Sequence, residues 1–469
     1  MTIKLGYTKQ IFFILLAGMT MILSCSKKDF LDKKPSSDLV VPTTLEDFQT
    51  LLDNNDVMSQ TPELGELSAD NFYLDYGFWQ GLSAEERNAY VWAKDIYEGE
   101  GNIDDWNIPY QQVFYANVVL DGLPGVAIDS SNRQQWNALE GAAYFIRAYA
   151  FYNIAQVFAP VYNSATATTD LGIPLRLSSD INPVSTRLPL KATYDQILSD
   201  LQQASSLLPW AIPFANLNRP SKPAALAMLA RVYLSMGGYG QAGVYADSCL
   251  QAYSQLLDFN TLTGDTGLNR SFPYPNAEIL YDTHILSNSG VLLGLFYPSC
   301  VVDSDLYRSY AADDLRRSLF YRMNATGRPI LKGSYSYNDG FAPFSGLATD
   351  EMYLVRAECS ARAGNTDIAM GDLNALLKKR WITADFTPDS AMNSAQALSL
   401  ILTERRKELA FRGLRWTDLR RLNKENADIL LIRVLNGISY DLPAASENYV
   451  LPIPPDVITL SGIAQNPRQ

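Results

Sequence analysis

The side chains that could do chemistry in this 469-residue chain are 50 carboxylates, a single histidine and four cysteines. Glycoside hydrolysis needs only two carboxyl groups, about 5 Å apart or roughly 6.5–9.5 Å apart with a water between them. Neighbouring acids stand at Glu85–Glu86, Asp303–Asp305 and Asp313–Asp314, but so many carboxylates produce such pairs by chance. A lipid-anchored hydrolase built on a carboxylate pair is therefore an alternative reading and not the first. His284, in Asp282-Thr283-His284-Ile285, has no second imidazole for a His-based metal site, and its apolar, strand-like surroundings suit a hydrogen-bonded structural residue. Cys249, Cys300 and Cys359 lack zinc spacing; with Cys25 set apart they are an odd number that cannot form a closed disulfide framework, and Cys249 and Cys359 read as small buried hydrophobes. Asp104-Asp105 and Asp303-Ser304-Asp305 offer oxygens to calcium, yet neither forms a Gly-containing ligand loop. No catalytic residue, cofactor or metal site is expected; a structural calcium is allowed by the acid count and indicated by no spacing.

Rings carry more information than acids. Phe72, Tyr73, Tyr76, Phe78, Trp79, Tyr90, Trp92, Tyr97 and Trp106 crowd a polar stretch with Asp70, Asn71, Asp75, Gln80, Arg87 and Asn88. Flat apolar faces beside hydrogen-bonding groups suit sugars, and suit peptides as well. Trp79 and Tyr76 are the leading candidates, because Gly77 and Gly81 mark an exposed loop around them; Tyr73, Trp92 and Asn71 complete the set. Tyr297, Tyr307, Tyr335 and Tyr337, with Asn338 and Asp339, form a second and weaker group. Any one of these rings could equally belong to a core.

The elements that must hold these residues are mostly helical. Apolar spacings of three and four mark Leu45 to Leu52, capped by Thr43 or Thr44, and return at 108–120, 136–158, 194–208, 223–253, 349–381 and 395–422. Two segments superpose position for position: Ala230, Tyr233, Gly237, Ala242 and Cys249 on Ala357, Ser360, Gly364, Ala369 and Leu376. Helix, tight glycine turn and second helix with small residues at the contact form a tetratricopeptide pattern, a unit that buries its apolar face only by stacking on neighbours. Between the two units lies a loop-rich insertion at about 255–347, with short extended runs such as Ile279-Leu280-Tyr281 and Val291-Leu292-Leu293. Binding residues concentrate on loops held by a rigid frame, which points to this insertion and to 70–107.

The amino-terminal residues predict location. Lys4 and Lys9 precede a short apolar run ending at Ser24-Cys25, the form of a lipoprotein signal peptide over 1–24 with lipidation at Cys25. Several acyl chains give stable anchoring, so the membrane is touched through lipid only. Polar residues from Ser26 to Pro42 make 25–43 a flexible leash before a domain at 44–469. A formal net charge of −12 disfavours nucleic acid as a partner.

With these features, Asp29-Phe30-Leu31-Asp32-Lys33-Lys34-Pro35, the Ile401–Arg421 segment containing Glu404-Arg405-Arg406, and Tyr449-Val450-Leu451-Pro452-Ile453-Pro454 resemble the SusD/RagB family along essentially the whole chain. The resemblance implies a mainly α fold in which tetratricopeptide-like helix pairs pack against an irregular half with short strands. It further implies a surface lipoprotein of the outer membrane that binds an oligosaccharide or peptide and hands it, without catalysis, to a SusC-like TonB-dependent barrel. A protein scaffold without a small ligand is a further alternative. Within the Glu404–Arg421 segment, the spacing of Glu408 and Arg412 predicts an ion pair, Gly413 a left-handed helix end, and the alternating charges a structural face in preference to an anion clamp of Arg405, Arg406 and Arg415.

Overall fold

The computed structural model describes residues 42–262, 271–286, 290–294, 298–335 and 342–469. Thr44 starts the first helix, α1 (Leu45–Leu52), through a reciprocal capping box with Asp47. Its inward Phe48 ring lies against Gly122, where a Cβ would come within 2.4 Å of the ring, so only glycine permits this seating. Long helices follow: α2 (Asp104–Gly122), α3 (Arg133–Phe158), α4 (Leu190–Leu207), α5 (Lys222–Ser235), α6 (Tyr239–Ala252), α7 (Thr349–Arg362), α8 (Thr366–Leu377), α9 (Ser394–Glu408) and α10 (Arg415–Lys424).

From α2 to α7 each helix packs on the next, and α7 then carries both α8 and α9. The two matching units are α5–α6 and α7–α8. Gly237 and Gly364, at φ of +76° and +86°, make their turns, and Ala230, Ala242, Ala357 and Ala369 are fully buried at the helix contacts. A Cβ on Gly243 of α6 would stand 3.1 Å from the Cβ of Cys359 on α7, so units separated by the whole insertion in sequence are neighbours in space. The mainly helical, tetratricopeptide-like fold expected from the periodicity is thus observed. Cys249, Cys300 and Cys359 are buried free thiols.

The irregular half is sewn together by pairings remote in sequence. Residues 60–61 run parallel to 284–285, Phe72–Leu74 pairs antiparallel with Cys300–Val302, and Ile279–Tyr281 pairs with Leu347–Ala348. His284 lies in one of these strands, and burial lowers its pKa, as suits a structural imidazole. Val291–Leu293, expected to be extended, belongs to the helical turn Gly290–Gly294 instead; Glu86 accepts a hydrogen bond from the Val291 N–H there, which anchors the turn.

Where the two halves meet, charge is buried. Arg316 donates to Asp314, Glu404 and Glu408; Arg380 donates to Glu408 and Glu278; Arg405 and Arg421 share Asp418. Asp314, Arg316, Glu278, Arg380 and Glu408 are at most 1% exposed, so each ion depends on its partners for solvation. The expected Glu408–Arg412 pair is not formed: Glu408 is taken by Arg316 and Arg380, while Arg412 reaches Asp350 on α7. Gly413 does have a left-handed φ of +71°, but α9 has already ended at Glu408, and the glycine shapes the bend into α10.

Candidate functional site

Strand Phe72–Leu74 delivers the exposed aromatic residues. Phe72 and Leu74 point into the core and Tyr73, opposite Val301, is partly exposed, as alternation requires. The chain then turns at Asp75 into a single helical turn, Tyr76–Gln80, none of whose residues is buried. Tyr76, 37% exposed, stacks on Trp79 with centroids 5.8 Å apart and planes inclined at 25°. Trp79 Nε1 donates to the Arg87 carbonyl at 3.2 Å, which pins one edge of the indole, and Gln80 Nε2 donates to the Tyr76 hydroxyl at 2.9 Å. Space beside Gly77 is open. The following helix, Ala84–Tyr90, is started by a Ser83–Glu86 capping box, so the loop that bears the rings is held at both ends.

The insertion supplies the charge beside the rings. Hairpin 321–331 turns through Gly327, with Asn324 Oδ1 accepting from the Thr326 and Arg328 N–H groups, and this turn fixes Arg328. Arg328 makes a fork to Asp75, 2.7 Å on each arm, and that guanidinium holds the Asp75 carboxyl below its usual range. The pair is one-third to one-half exposed. Two stacked rings, an amide and a solvent-facing ion pair therefore form a ledge that can pack on an apolar face and hydrogen-bond around it. Asp75 stays ionised, which suits accepting hydrogen bonds and not donating a proton.

The rest of the expected set divides. Tyr73 joins the ledge beside Arg328. Trp92 does not: it is 3% exposed, Nε1 donates to the Ser68 carbonyl, and the Arg433 guanidinium lies 4.7 Å from its ring centre. Asn71 is fully buried with its amide on Glu66, and Tyr335, 4% exposed, gives its hydroxyl to Glu278. These three lie inside the fold, with their faces covered by core neighbours. Phe72, Tyr90, Tyr97 and Trp106 are likewise core. Tyr307 is half-buried under the Arg317 guanidinium. Tyr297 and Tyr337, with Asn338 and Asp339, lie outside the described residues. Arg328 was missed because nothing local ties it to Asp75, 253 residues away.

Four of the six candidate acids are occupied. Asp303 caps the helix after it and meets Arg406, Asp305 pairs with Arg308, Asp314 is inside the ion lattice, and Glu86 serves its capping box. Burial, reinforced by Asp105, pushes Glu85 up to about 8. Asp105, at about 7 through burial, accepts from the Glu63 and Leu64 N–H groups. Among the described residues, Glu278, Asp350 and Glu408 come close enough to share a cation, but Arg380, Arg316, Arg412, Tyr335 and the Glu351 N–H already donate to their oxygens. That cluster is an internal ion lattice, and cations already neutralise it.

Helix pairs stacked against an irregular half that presents a ring-faced ledge define a tetratricopeptide-like helical protein. A family model described as starch-binding and associating with the outer membrane matches residues 29–234, and the SusD family model matches 349–468. SusD-like protein P2 of Formosa agariphila is 25% identical over 426 residues, covering 77% of this chain and 79% of that protein. A SusD superfamily protein of Bacteroides thetaiotaomicron superposes with a TM-score of 0.72 at 22% identity, covering 91% of this chain and all of that one. A laminarin-binding SusD-like protein superposes with a TM-score of 0.63 at 19% identity, over 91% of this chain and 99% of its own. The chain belongs to the SusD/RagB family.

Proposed function

We propose that this chain is a cell-surface lipoprotein, anchored through Cys25 after removal of residues 1–24 and tethered by a leash over 25–43. It captures an oligosaccharide on the Tyr76–Trp79 ledge and passes it to a SusC-like TonB-dependent barrel in the outer membrane. The observation that carries the reading is the ledge itself: partly exposed stacked rings edged by Gln80, Asp75 and Arg328. A laminarin-binding structural neighbour and the starch-binding description of the matching family add to it. Among the described residues no helix is long and apolar enough to cross a membrane, which fits attachment by lipid.

Binding without turnover is supported by Asp303, Asp305, Asp314 and Glu86, whose carboxylates are committed to capping and ion pairing. The test is a titration of residues 26–469 with neutral oligosaccharides and with short peptides, followed by tryptophan fluorescence and heat. Saturable sugar binding that leaves the sugar chain intact is the expected result. A peptide response alone would move the protein to peptide capture, and cleavage of the sugar would overturn the non-catalytic reading. Incorporation of labelled palmitate, lost in Cys25→Ala, tests the anchor.

A further inference from the structure

A cavity of about 40 Å³ lies where α3, the 61–66 segment and the bend after α9 meet. Among the described residues, four of the lining side chains carry donors with no acceptor within hydrogen-bond distance, Tyr152 (Oη), Asn153 (Nδ2), Arg412 (Nε and Nη2) and Trp416 (Nε1), although Ser235 lies near the first and the Tyr149 hydroxyl near the second. Tyr152 and Trp416 are 2% exposed and Arg412 7%. Buried donors are nearly always satisfied, and each one left unpaired costs about 1–3 kcal/mol, so a cluster of them at one cavity calls for an acceptor.

Arg412 makes the case sharper. The Nε/Nη2 edge of a guanidinium is its two-pronged anion seat, and Arg147, Arg231, Arg316, Arg356 and Arg415 each place a carboxylate there: Asp200, Glu351, Asp314, Asp372 and Asp70. Arg412 uses only Nη1 on Asp350, its guanidinium lies over the Tyr335 and Phe344 rings, and among the described residues that same edge has no hydrogen-bond partner. The one carboxyl in the lining, Glu66, is committed elsewhere: Oε1 accepts from Asn71 and Oε2 from the Gly413 N–H.

We propose that this cavity is a binding site for a small monatomic anion, chloride in solution, held by Arg412, Tyr152, Asn153 and Trp416. One water-sized body needs about 10–15 Å³ of such volume, so the cavity takes a chloride with a water or two but no sulfate. Water alone fits less well, because a water must also place its own two protons, and the unpartnered groups at this cavity are donors. The anion ties α3 to the residue 412–417 bend and to the segment leading toward the ledge, which makes it a structural pin between the two halves. The inference is independent of the ligand proposed above.

The experiment is crystallisation of residues 26–469 from sodium bromide, with data collected at the bromine edge, together with melting curves in chloride and in sulfate at matched ionic strength. A bromide peak in hydrogen-bond reach of the Tyr152 hydroxyl and Arg412, and a melting temperature that rises saturably with chloride but not with sulfate, are expected. Tyr152→Phe removes one donor with little change of shape and is expected to weaken the chloride midpoint about tenfold. A cavity holding only water in the bromide crystal, or equal effects of chloride and sulfate, would overturn the proposal.

Discussion

The Glu404–Arg421 segment and the Tyr76–Trp79 turn use their side chains in opposite senses. In the first, Glu404, Arg405, Lys407, Glu408, Arg420 and Arg421 are all buried, each charge satisfied by a partner on another element or one turn away. In the second, the Tyr76 and Trp79 rings stack on each other and stay partly exposed at the edge of the core. The charged segment sets the relative position of helices and irregular half, while the aromatic turn is free to meet something else. Asp70 joins the two: Arg415 and Arg406 clamp it two residues before the strand that carries the ledge. What the contrast teaches is that the positioning is done by the ions and the recognition by the rings.

The comparison breaks most violently at Arg316. Arg316→Met leaves the carboxylates of Asp314, Glu404 and Glu408 short of a partner, and removing one member of a buried ion network costs about 3–5 kcal/mol. Urea denaturation is expected to show that loss or an insoluble product. A near-neutral effect would mean the lattice is incidental to the fold.

Titration separates the regions next. Burial pushes Glu66, Asp105 and Asp350 up to about 7 from 4.5, 3.8 and 3.8. Between those values the native state holds more protons than the unfolded chain, so stability falls as pH rises through that window. Burial works against Asp70 and Asp418 too, but Arg415 and Arg406, and Arg405 and Arg421, outweigh it and hold them at about 2. Their contribution is present above 3.8 and lost as pH falls toward 2. The melting temperature is therefore expected to rise from pH 8 to about 5 and to fall below about 3. Asp350→Asn should flatten the alkaline limb, and an unchanged limb would assign it elsewhere.

At the ledge the expected effect is on binding and not on folding. Trp79→Ala removes the pinned ring and is expected to weaken ligand affinity at least about tenfold, or 1.4 kcal/mol, with the melting temperature unchanged. A large loss of stability would place Trp79 in the core, and full affinity would move the site.

How much of this could be read from the sequence follows from range. Helices were legible because their apolar periodicity is local, and the glycine turns at Gly237 and Gly364 mark their ends. The stacking of α6 on α7 was not, since 255–347 intervenes. Trp79 and Trp92 sit in equally aromatic, polar surroundings; what separates them is Arg433, more than 300 residues on, which covers Trp92 from a strand whose Ile432 and Val434 face outward. Tyr335 is hidden for the same reason, by Arg412 and Glu278. Ring type was readable, but ring exposure is decided by distant partners.

The smallest effect is the most discriminating. Asp75–Arg328 is a partly exposed fork, and such pairs contribute about 0–1 kcal/mol to folding, so Asp75→Asn and Arg328→Ala should leave the melting temperature nearly unchanged. If ring stacking dominates capture of a neutral sugar, Asp75→Asn keeps an acceptor and costs affinity only about two- to threefold, while Arg328→Ala costs somewhat more by freeing the carboxylate. Calorimetry on both variants against the same sugar decides this. Should Asp75→Asn remove binding as completely as Trp79→Ala does, the ion pair is itself part of the recognition, and the division between ions that position and rings that recognise fails at the one place where the two chemistries touch.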